Sequence, residues 1–254
     1  SAQTSSMNTA SSRQAAMTGR QSNLAGQLLS RIAVALRHNL LPGLILQAIA
    51  VALVLAYYFW PPSQPAFAFF TDLKQRYGLL YSLVATSLFG GVIPFAVLLA
   101  KGELGGRLGR EFAFYSLFWA AKGVEVDLFY QLQSHLFGSG HDLSTIVAKT
   151  LLDQFVYVAL WAAPGLALVF LWKEQGFSLP RTRQRLNREF FLLQIPAVTV
   201  ANWFIWIPAV AMIYLMPPSL QIPMFNLVLC FFVLLLAFLT GENMRAKGGR
   251  PTGR

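Results

Sequence analysis

Four ionisable residues that could do chemistry lie inside long apolar stretches of this sequence. Lys122, Glu125 and Asp127 interrupt one stretch, and Asp153 lies near the start of the next. A charged side chain at the centre of a membrane-spanning helix costs about 2.5 to 3.5 kcal/mol on insertion scales, so each of these groups needs a partner or water. Lys122 and Glu125 are three residues apart on one helix face, which predicts either an internal ion pair or a water-filled cavity.

Other polar residues accompany these four. Lys149 lies four residues before Asp153, and this spacing also favours an ion pair, here at the membrane interface. Gln154, Asn202 and Asn226 are uncharged, and such side chains usually hydrogen-bond between helices in membrane bundles. We nevertheless expect the ionisable and amide side chains together to line a hydrated cavity, formed by Lys122, Glu125, Asp127, Asp153, Gln154, Asn202 and Asn226.

Long apolar blocks must position these residues. The 254 residues are 56% hydrophobic and only 12% charged, which is about half the charged share of an ordinary soluble domain. The apolar residues occur in blocks of about twenty, the length that crosses a bilayer as a helix. The sequence therefore predicts an all-α, polytopic transmembrane helix bundle of about six spans, at roughly residues 39–60, 79–100, 110–131, 150–172, 190–216 and 219–240.

Basic residues are distributed unevenly between alternate connectors. One side of the predicted spans holds 16 of the 20 Lys and Arg residues, and the other side holds three. Because cytoplasm-like sides retain basic loops during insertion, both termini are predicted to lie on the inside face. This distribution accounts for the net charge of +10 without a nucleic-acid partner. The predicted domains are a flexible basic N-terminal tail at 1–36, a transmembrane helical domain at 37–241 and a basic C-terminal tail at 242–254.

The predicted topology places the candidate cavity in the outer half of the bundle. A helix rises about 1.5 Å per residue, so Lys122 lies near the middle of the third span, and Glu125 and Asp127 lie beyond it. Asp153 lies within about the first two turns of the fourth span, which enters from the outside. We expect apolar side chains of the inner half to form a dry constriction: Phe112, Leu117 and Leu168.

Recognisable enzyme motifs are missing from the sequence. It has no zinc-protease helix, no nucleophile elbow and no phosphate-binding glycine loop. Its three histidines are scattered, and its single cysteine, Cys230, excludes an intramolecular disulfide. We therefore expect no enzymatic activity, no cofactor and no metal. The expected partners are the lipid bilayer and its anionic headgroups, beside the basic connector that contains Arg181, Arg183, Arg185 and Arg188.

Three local patterns occur in order along the chain. Residues 123–130 read Gly-Val-Glu-Val-Asp-Leu-Phe-Tyr, residues 149–154 read Lys-Thr-Leu-Leu-Asp-Gln, and residues 202–208 read Asn-Trp-Phe-Ile-Trp-Ile-Pro, with Asn226 further on. From about residue 68 to residue 240 the chain thereby resembles the Mpv-seventeen and 22-kDa peroxisomal membrane protein family. The family counterparts are Gly-Pro-x-x-His-x-Trp-Tyr, Lys-x-x-x-Asp-Gln and Asn-Trp-x-x-Trp-x-Pro.

Several positions depart from the family pattern. Val124 stands in place of its proline, and Asp127 stands in place of its histidine. The Gly-Asp of its first helix is here Gly91 followed by Val92, and the first span at 39–60 has no family counterpart. The resemblance therefore implies a divergent member with an extra N-terminal span.

The resemblance also carries an expectation about function. Family members are described as channel-like or solute-permeability proteins, so it implies passage of small solutes or ions. The alternative is a non-transporting membrane scaffold or subunit-interaction protein, as a homo-oligomer or with a membrane-protein partner, because the intramembrane charges are few and can pair locally. The extra first span favours a bacterial inner membrane. The acid-free stretch before Asp72 equally resembles a mitochondrial targeting segment, which leaves a mitochondrial inner or other organelle membrane open.

Overall fold

A computed structural model describes residues 2–102, 104 and 108–248 of the chain. Every regular element within these ranges is helical, so the predicted all-α class is confirmed. The α-helices are α1 Ala2–Phe59, α2 Gln64–Tyr77, α3 Leu79–Thr86, α4 Ile93–Ala100, α5 Leu108–Phe137, α6 Leu143–Leu151, α7 Ala163–Glu174, α8 Leu179–Arg185, α9 Ile195–Tyr214 and α10 Pro218–Gly248. A short 3₁₀ turn, Pro61–Ser63, precedes α2, and π-helical segments occupy Ser87–Val92, Leu152–Ala162 and Phe190–Gln194.

Five stretches of the described chain are long and apolar enough to cross a membrane. They correspond to five of the six predicted spans and cover Asn39–Phe59, Leu79–Ala100, Leu143–Glu174, Phe190–Tyr214 and Pro218–Leu235. The remaining predicted span, at 110–131, lies in α5, which is 30 residues long and therefore also long enough to cross. Its centre is less apolar because it carries Lys122, Glu125 and Asp127. The chain is thus a multi-pass membrane helix bundle, and α5 carries the predicted span that contains these three charged residues.

The chain divides into two compact units. The larger unit comprises Asn39–Gln154 and Ile205–Arg254, and the smaller unit comprises Ser1–His38 and Phe155–Phe204. The core of the larger unit contains five buried side chains from three helices: Leu46 and Ala50 of α1, Ile205 and Ala209 of α9, and Val228 of α10.

Aromatic packing and an ion pair occur within the smaller unit. The rings of Phe155 and Trp203 lie 4.7 Å apart between centroids. Arg31 of α1 contacts the carboxylate of Glu189 at a solvent-exposed position. Exposed pairs of this kind typically contribute less than about 1 kcal/mol, so we attribute the order of this unit mainly to apolar packing.

Each π-helical segment is followed by a proline. Pro94, Pro164 and Pro196 each come two residues after the end of one segment. A proline has no N–H, and its ring clashes with the carbonyl four residues earlier in a regular α-helix. Here that carbonyl lies inside the π-helical segment in all three cases, where the wider turn relieves the clash. Prolines within the predicted spans lead us to expect a kink or local unwinding at Pro164, Pro196 and Pro208. The first two follow π-helix, whereas Pro208 lies inside the continuous helix α9.

Small residues bring α3 against α5. A Cβ built on Gly123 would lie 2.2 Å from the carbonyl oxygen of Ser82 and 2.5 Å from the side chain of Thr86. One built on Gly91 would lie 2.7 Å from the carbonyl oxygen of Tyr115. Such distances are possible only because these positions lack a side chain. Ser82, Thr86 and Gly90 follow the small-xxx-small spacing that favours close helix packing, and a Cβ built on Gly90 would lie 2.8 Å from the side chain of Trp119 on α5.

The helix ends differ from the predicted domain boundaries. Residues 1–36 were predicted to form a flexible tail, whereas α1 is continuous from Ala2 to Phe59. At the other end, α10 continues to Gly248 and passes the predicted boundary at residue 241. The domain division and the inside orientation of both termini stay predictions.

Candidate functional site

The pair Lys122 and Glu125 lies on α5. The Lys122 ammonium contacts a Glu125 carboxylate oxygen at 2.7 Å, and the two side chains are 14% and 32% exposed. This confirms the ion pair that the three-residue spacing predicted. Because the two charges neutralise each other within one helix, this pair needs no partner from another helix.

Asp127 is the centre of a different cluster. It is 2% exposed and forms an ion pair with Lys74, at the end of α2. Its carboxylate also accepts hydrogen bonds from the Ser82 hydroxyl at 2.5 Å and from the Gln131 amide at 3.1 Å. Lys74 in turn donates to Ser82 at 3.2 Å and to the carbonyl oxygen of Gly78 at 3.1 Å. The buried carboxylate therefore has both a counter-charge and neutral hydrogen-bond donors to stabilise it.

The turn after α2 brings Lys74 to this position. Gly78 ends α2 with a φ of +53°, a conformation that is open to glycine and strained for other residues. α3 starts at the next residue, so Lys74 and Ser82 lie on either side of the turn. The sequence placed Lys74 in an outer connector and gave Ser82 a packing role only. One signal could have found the pair: Asp127 has no Lys or Arg within four positions, and Lys122, five positions before it, is paired with Glu125, which points to a distant cation.

Asp153 is the centre of a second cluster. It is 3% exposed and accepts hydrogen bonds from the Tyr214 hydroxyl at 2.6 Å and from the Gln154 amide at 2.8 Å. The Tyr214 oxygen itself accepts a hydrogen bond from the amide of Gln133, which is fully buried. The Tyr214 ring also packs edge-on against Tyr130, 5.2 Å away between centroids. Sequence analysis identified Asp153 and Gln154 but gave no site role to Gln133 or Tyr214.

Lys149 takes part in this second cluster without pairing with Asp153. It is 2% exposed, donates to the Ser134 hydroxyl at 3.4 Å and lies 5.7 Å from the centre of the Tyr214 ring. The predicted ion pair between Lys149 and Asp153 is therefore wrong. The physical reason is that the two Asp153 oxygens accept hydrogen bonds from the Tyr214 hydroxyl and the Gln154 amide instead.

Asn226 is hydrogen-bonded between helices, as expected for an amide in a membrane bundle. The Thr86 hydroxyl of α3 donates to Asn226 Oδ1 on α10 at 2.7 Å, and both residues are fully buried. The Asn226 amide nitrogen has no hydrogen-bond partner among the residues that the structure describes. The Thr86 side chain also packs against Gly123, so the close approach of α3 and α5 positions the hydrogen bond from Thr86 to Asn226.

α5 connects these groups. Asp127, Tyr130 and Gln133 are all buried and follow one another at three-residue spacing along this helix. Asp127 holds the Lys74 cluster, while Tyr130 and Gln133 contact Tyr214 of the Asp153 cluster. Each cluster contains one carboxylate and one lysine, so the two clusters are electrically balanced.

Two other expectations concern Asn202 as a cavity residue and the apolar constriction of the inner half. Asn202 is half-buried and belongs to the smaller unit, so its role as a cavity residue stays a prediction. Leu117, expected in the inner constriction, is 70% exposed, and Phe112 is 43% exposed. Within this chain, Leu117 therefore faces outward, and its assignment to a constriction is wrong.

Comparisons with models of known families, with curated proteins and with solved structures find no match to this chain. The resemblance to the Mpv-seventeen and 22-kDa peroxisomal membrane protein family therefore stays a prediction. Among the residues that the structure describes, no three His, Cys, Asp or Glu side chains come together as metal ligands.

Proposed function

We propose that this multi-pass membrane protein is a channel-like permeability protein for small solutes. Its hydrated cavity would be formed by the two polar clusters on α5, with Asp127, Asp153, Gln154 and Asn226 as lining residues. The second cluster carries the proposal. Asp153, Gln133 and Tyr214 are all buried between membrane-spanning helices, where polar groups are rare and typically mark solute or ion pathways.

Incomplete hydrogen bonding supports water in this region. Gln133 Oε1 and Asn226 Nδ2 have no hydrogen-bond partner within the described part of the chain. Leaving a buried amide group without a partner costs roughly 1 to 3 kcal/mol by mutational measures, whereas a buried water satisfies such groups. Two orphaned amide atoms on different helices, α5 and α10, therefore support hydration better than they support a dry core.

Contacts between helices support a location in the outer half. Ser82 and Thr86 lie within the first eight residues of the span that begins at Leu79, next to the predicted outer connector. They contact Asp127 and Asn226 respectively. Lys74 of α2, a helix within that connector, also contacts Asp127. All of these residues enter from the side that the charge distribution predicts to be outside.

Reconstitution tests the proposal. Purified protein in planar bilayers is expected to conduct ions, and Asp153→Asn is expected to lower the ratio of cation to anion permeability several-fold, because a negative charge leaves the path. Asp72→Asn, which removes an exposed carboxylate of α2, is the matched control and should leave the ratio unchanged. A silent membrane at high protein load, or an unchanged ratio in properly folded protein, would contradict the proposal.

A non-transporting scaffold is the second candidate. It is favoured by the pairing of Lys122 with Glu125 and of Lys74 with Asp127, since these charges are neutralised within the protein. Copurification with a stoichiometric membrane partner, together with absent conductance, would support this candidate.

We further propose that the chain is a divergent relative of the Mpv-seventeen and 22-kDa peroxisomal membrane protein family. Support comes from two positions that carry the resemblance, because Asp153 and Gln154 of the Lys-x-x-x-Asp-Gln pattern are hydrogen-bonded to each other in one buried cluster. For location we favour a bacterial inner membrane over a mitochondrial or other organelle membrane. Fluorescent fusions in a bacterial host and in eukaryotic cells test that preference.

Anionic lipid is the proposed partner of the basic connector that contains Arg181, Arg183, Arg185 and Arg188. All four arginines are exposed, and three of them lie on the short helix α8. Each charge near an anionic surface contributes about 1 kcal/mol, so the connector should enrich phosphatidylglycerol over phosphatidylcholine around the protein. Native mass spectrometry measures this enrichment, which should be lost when all four are changed to glutamine and kept when all four are changed to lysine.

A further inference from the structure

The Lys74 ammonium lies among three oxygen atoms from three different residues. Its Nζ contacts a carboxylate oxygen of Asp127, the carbonyl oxygen of Gly78 at 3.1 Å and the hydroxyl oxygen of Ser82 at 3.2 Å. An ammonium group has three N–H donors, so these three oxygens match its full donor capacity. A carboxylate, a carbonyl and a hydroxyl around one positive charge are also hard oxygen ligands of the kind that bind inorganic cations in proteins.

Contacts that do not involve Lys74 hold these oxygens in place. The Ser82 hydroxyl donates to Asp127 Oδ2 at 2.5 Å, and the Gln131 amide donates to Asp127 Oδ1 at 3.1 Å. The backbones of α3 and α5 also approach closely here, because a Cβ built on Gly123 would lie 2.2 Å from the carbonyl oxygen of Ser82. Since two packed helices fix the hydroxyl and the carboxylate, the set of oxygens should persist when the ammonium leaves.

Lys74 reaches the oxygens from a connector and not from a membrane span. It lies in the last turn of α2, and Gly78 separates this helix from the span that begins at Leu79. The charge distribution predicts that this connector faces the outside. A lysine side chain is a flexible four-carbon stem with a compact charge at its end, so rotation of the stem alone can withdraw the ammonium.

We propose that Gly78 O, Ser82 Oγ and Asp127 Oδ2 form an outer binding site for a monovalent inorganic cation, and that the Lys74 ammonium is a tethered cation which occupies this site. One carboxylate among neutral oxygens balances a single positive charge, whereas Ca²⁺ usually takes six to eight oxygen ligands that include several carboxylates. The inference rests on the proposed function where it names the solute class, because it takes the bound cation to be a solute that permeates. It goes beyond that function in assigning a competing occupant, Lys74, to the site.

Unfolding of Lys74→Met in two chloride salts tests the site. The full chain is placed in nanodiscs of phosphatidylcholine, and its thermal unfolding midpoint is measured in potassium chloride and in choline chloride at equal ionic strength. Choline is too bulky to replace an ammonium group among the three oxygens. Potassium should raise the midpoint of Lys74→Met by about 3 to 5 °C over choline, the shift that corresponds to a tenfold gain in the folding equilibrium constant. Wild-type protein, whose ammonium already occupies the site, should have the same midpoint in both salts.

Two control variants show whether the effect belongs to this site. The double variant Lys74→Met with Asp127→Leu also lacks the carboxylate and should have the same midpoint in both salts. Lys122→Met breaks the pair with Glu125, elsewhere on α5, and should also show no preference for potassium. A preference for potassium in either control, or none in Lys74→Met, would overturn the inference and leave Lys74 as a residue that only fixes α2 to α5.

If Lys74→Met folds in neither salt, amine labelling of the wild-type protein decides. Potassium competes with the ammonium for the same oxygens, so acetylation of Lys74 should be at least about twofold faster in potassium chloride than in choline chloride. Lys101, which follows the other end of the span, should react equally fast in both salts. Equal rates at Lys74 would overturn the site. A potassium effect without conductance would refute only the proposed function, and conductance without a potassium effect would refute only this site.

Discussion

The Tyr214 hydroxyl donates a hydrogen bond of 2.6 Å to Asp153 Oδ2, although 61 positions separate the two residues. The same oxygen accepts from Gln133 of α5, and the ring packs against Tyr130. One side chain at the end of α9 therefore connects a carboxylate, an amide and a second aromatic ring. Removing its oxygen would leave both Asp153 and Gln133 with one partner fewer.

Tyr214→Phe should lower the free energy of unfolding by about 1 to 3 kcal/mol, because a buried carboxylate and a buried amide each lose a hydrogen bond. Thermal unfolding in detergent, followed by circular dichroism, measures the change. Tyr77→Phe, at a 48% exposed position, is the matched control and should have little effect. Equal stabilities of the two variants would show that the Tyr214 hydroxyl contributes nothing.

The buried ion pair between Lys74 and Asp127 should be sensitive to the loss of one member. Lys74→Met leaves Asp127 as an uncompensated charge at a 2% exposed position, and we expect a loss of about 3 to 5 kcal/mol in the free energy of unfolding. The double variant Lys74→Met with Asp127→Leu should recover part of this loss. Urea unfolding in mixed micelles measures the wild-type protein, the single variants Lys74→Met and Asp127→Leu, and the double variant.

The exposed pair of Arg31 with Glu189 provides the comparison for that experiment. Its side chains are 42% and 56% exposed, so Arg31→Met should cost less than about 1 kcal/mol. If Arg31→Met destabilises the protein as much as Lys74→Met does, the buried pair is not strongly coupled. Strict additivity of the two substitutions in the Lys74→Met, Asp127→Leu double variant would lead to the same conclusion.

Gly123→Ala should disrupt the contact between α3 and α5. The added methyl group would lie 2.2 Å from the carbonyl oxygen of Ser82, so backbone must move, and we expect a cost of about 1 to 3 kcal/mol or more. Gly109→Ala is the control on the same helix, because an added Cβ there meets no atom within 4 Å. Thermal unfolding should separate the two alanine variants clearly, and identical midpoints would contradict the close packing.

Asp142 should make the start of α6 pH-dependent. It lies outside the membrane-spanning helices, and its pKa falls from 3.8 to about 2 because the carboxylate accepts hydrogen bonds from the Ser144 hydroxyl and from the backbone N–H and hydroxyl of Thr145. A depressed pKa means that the folded chain binds the proton less readily than the unfolded chain. The cap therefore stabilises fully above the ordinary pKa of 3.8 and is lost as the pH falls through about 2.

Between pH 2 and pH 4, roughly, the unfolding midpoint should rise with pH, and it should rise less steeply in Asp142→Asn than in wild-type protein. Asp72→Asn, which changes an exposed carboxylate on α2, should keep the wild-type slope. If Asp142→Asn also keeps that slope, the cap does not titrate as its hydrogen bonds indicate.

Orientation can be tested by cysteine labelling. In a Cys230→Ser background, Gly140→Cys should react with an impermeant thiol reagent added from outside, and Gln184→Cys should react only after the membrane is permeabilised. The native thiol is buried, so its removal mainly lowers background. The reverse labelling would overturn the predicted topology.

Local sequence features predicted the helices better than they predicted the partners of polar residues. Apolar blocks of bilayer length located the spans, since a helix satisfies its own backbone hydrogen bonds and depends on local sequence. The Lys122 and Glu125 pair was predictable for the same reason. Lys74 and Asp127 are 53 positions apart, and only the packing of α2 and α3 against α5 brings them together.

The failure at Lys149 and Asp153 has a different cause. Their spacing predicts a pair on one helix face, but the Asp153 oxygens accept hydrogen bonds from Gln154 and from Tyr214, which is 61 positions away. A helical repeat describes only neighbours on the same helix, so it could not indicate a competing tyrosine on α9. The sequence therefore paired the two charges wrongly.

The π-helical segment Ser87–Val92 also acts as a phase shift along its span. In a regular helix of 3.6 residues per turn, Phe95 would lie about 180° around the axis from Thr86, on the opposite side. Yet Thr86 is 0% exposed and Phe95 is 7% exposed. In the π-helical turn each residue advances by a smaller angle about the helix axis than in an α-helix. The buried side chains at both ends of the span therefore face the interior of the protein. A helical wheel drawn for this span in one piece would therefore assign one of these two residues to the lipid.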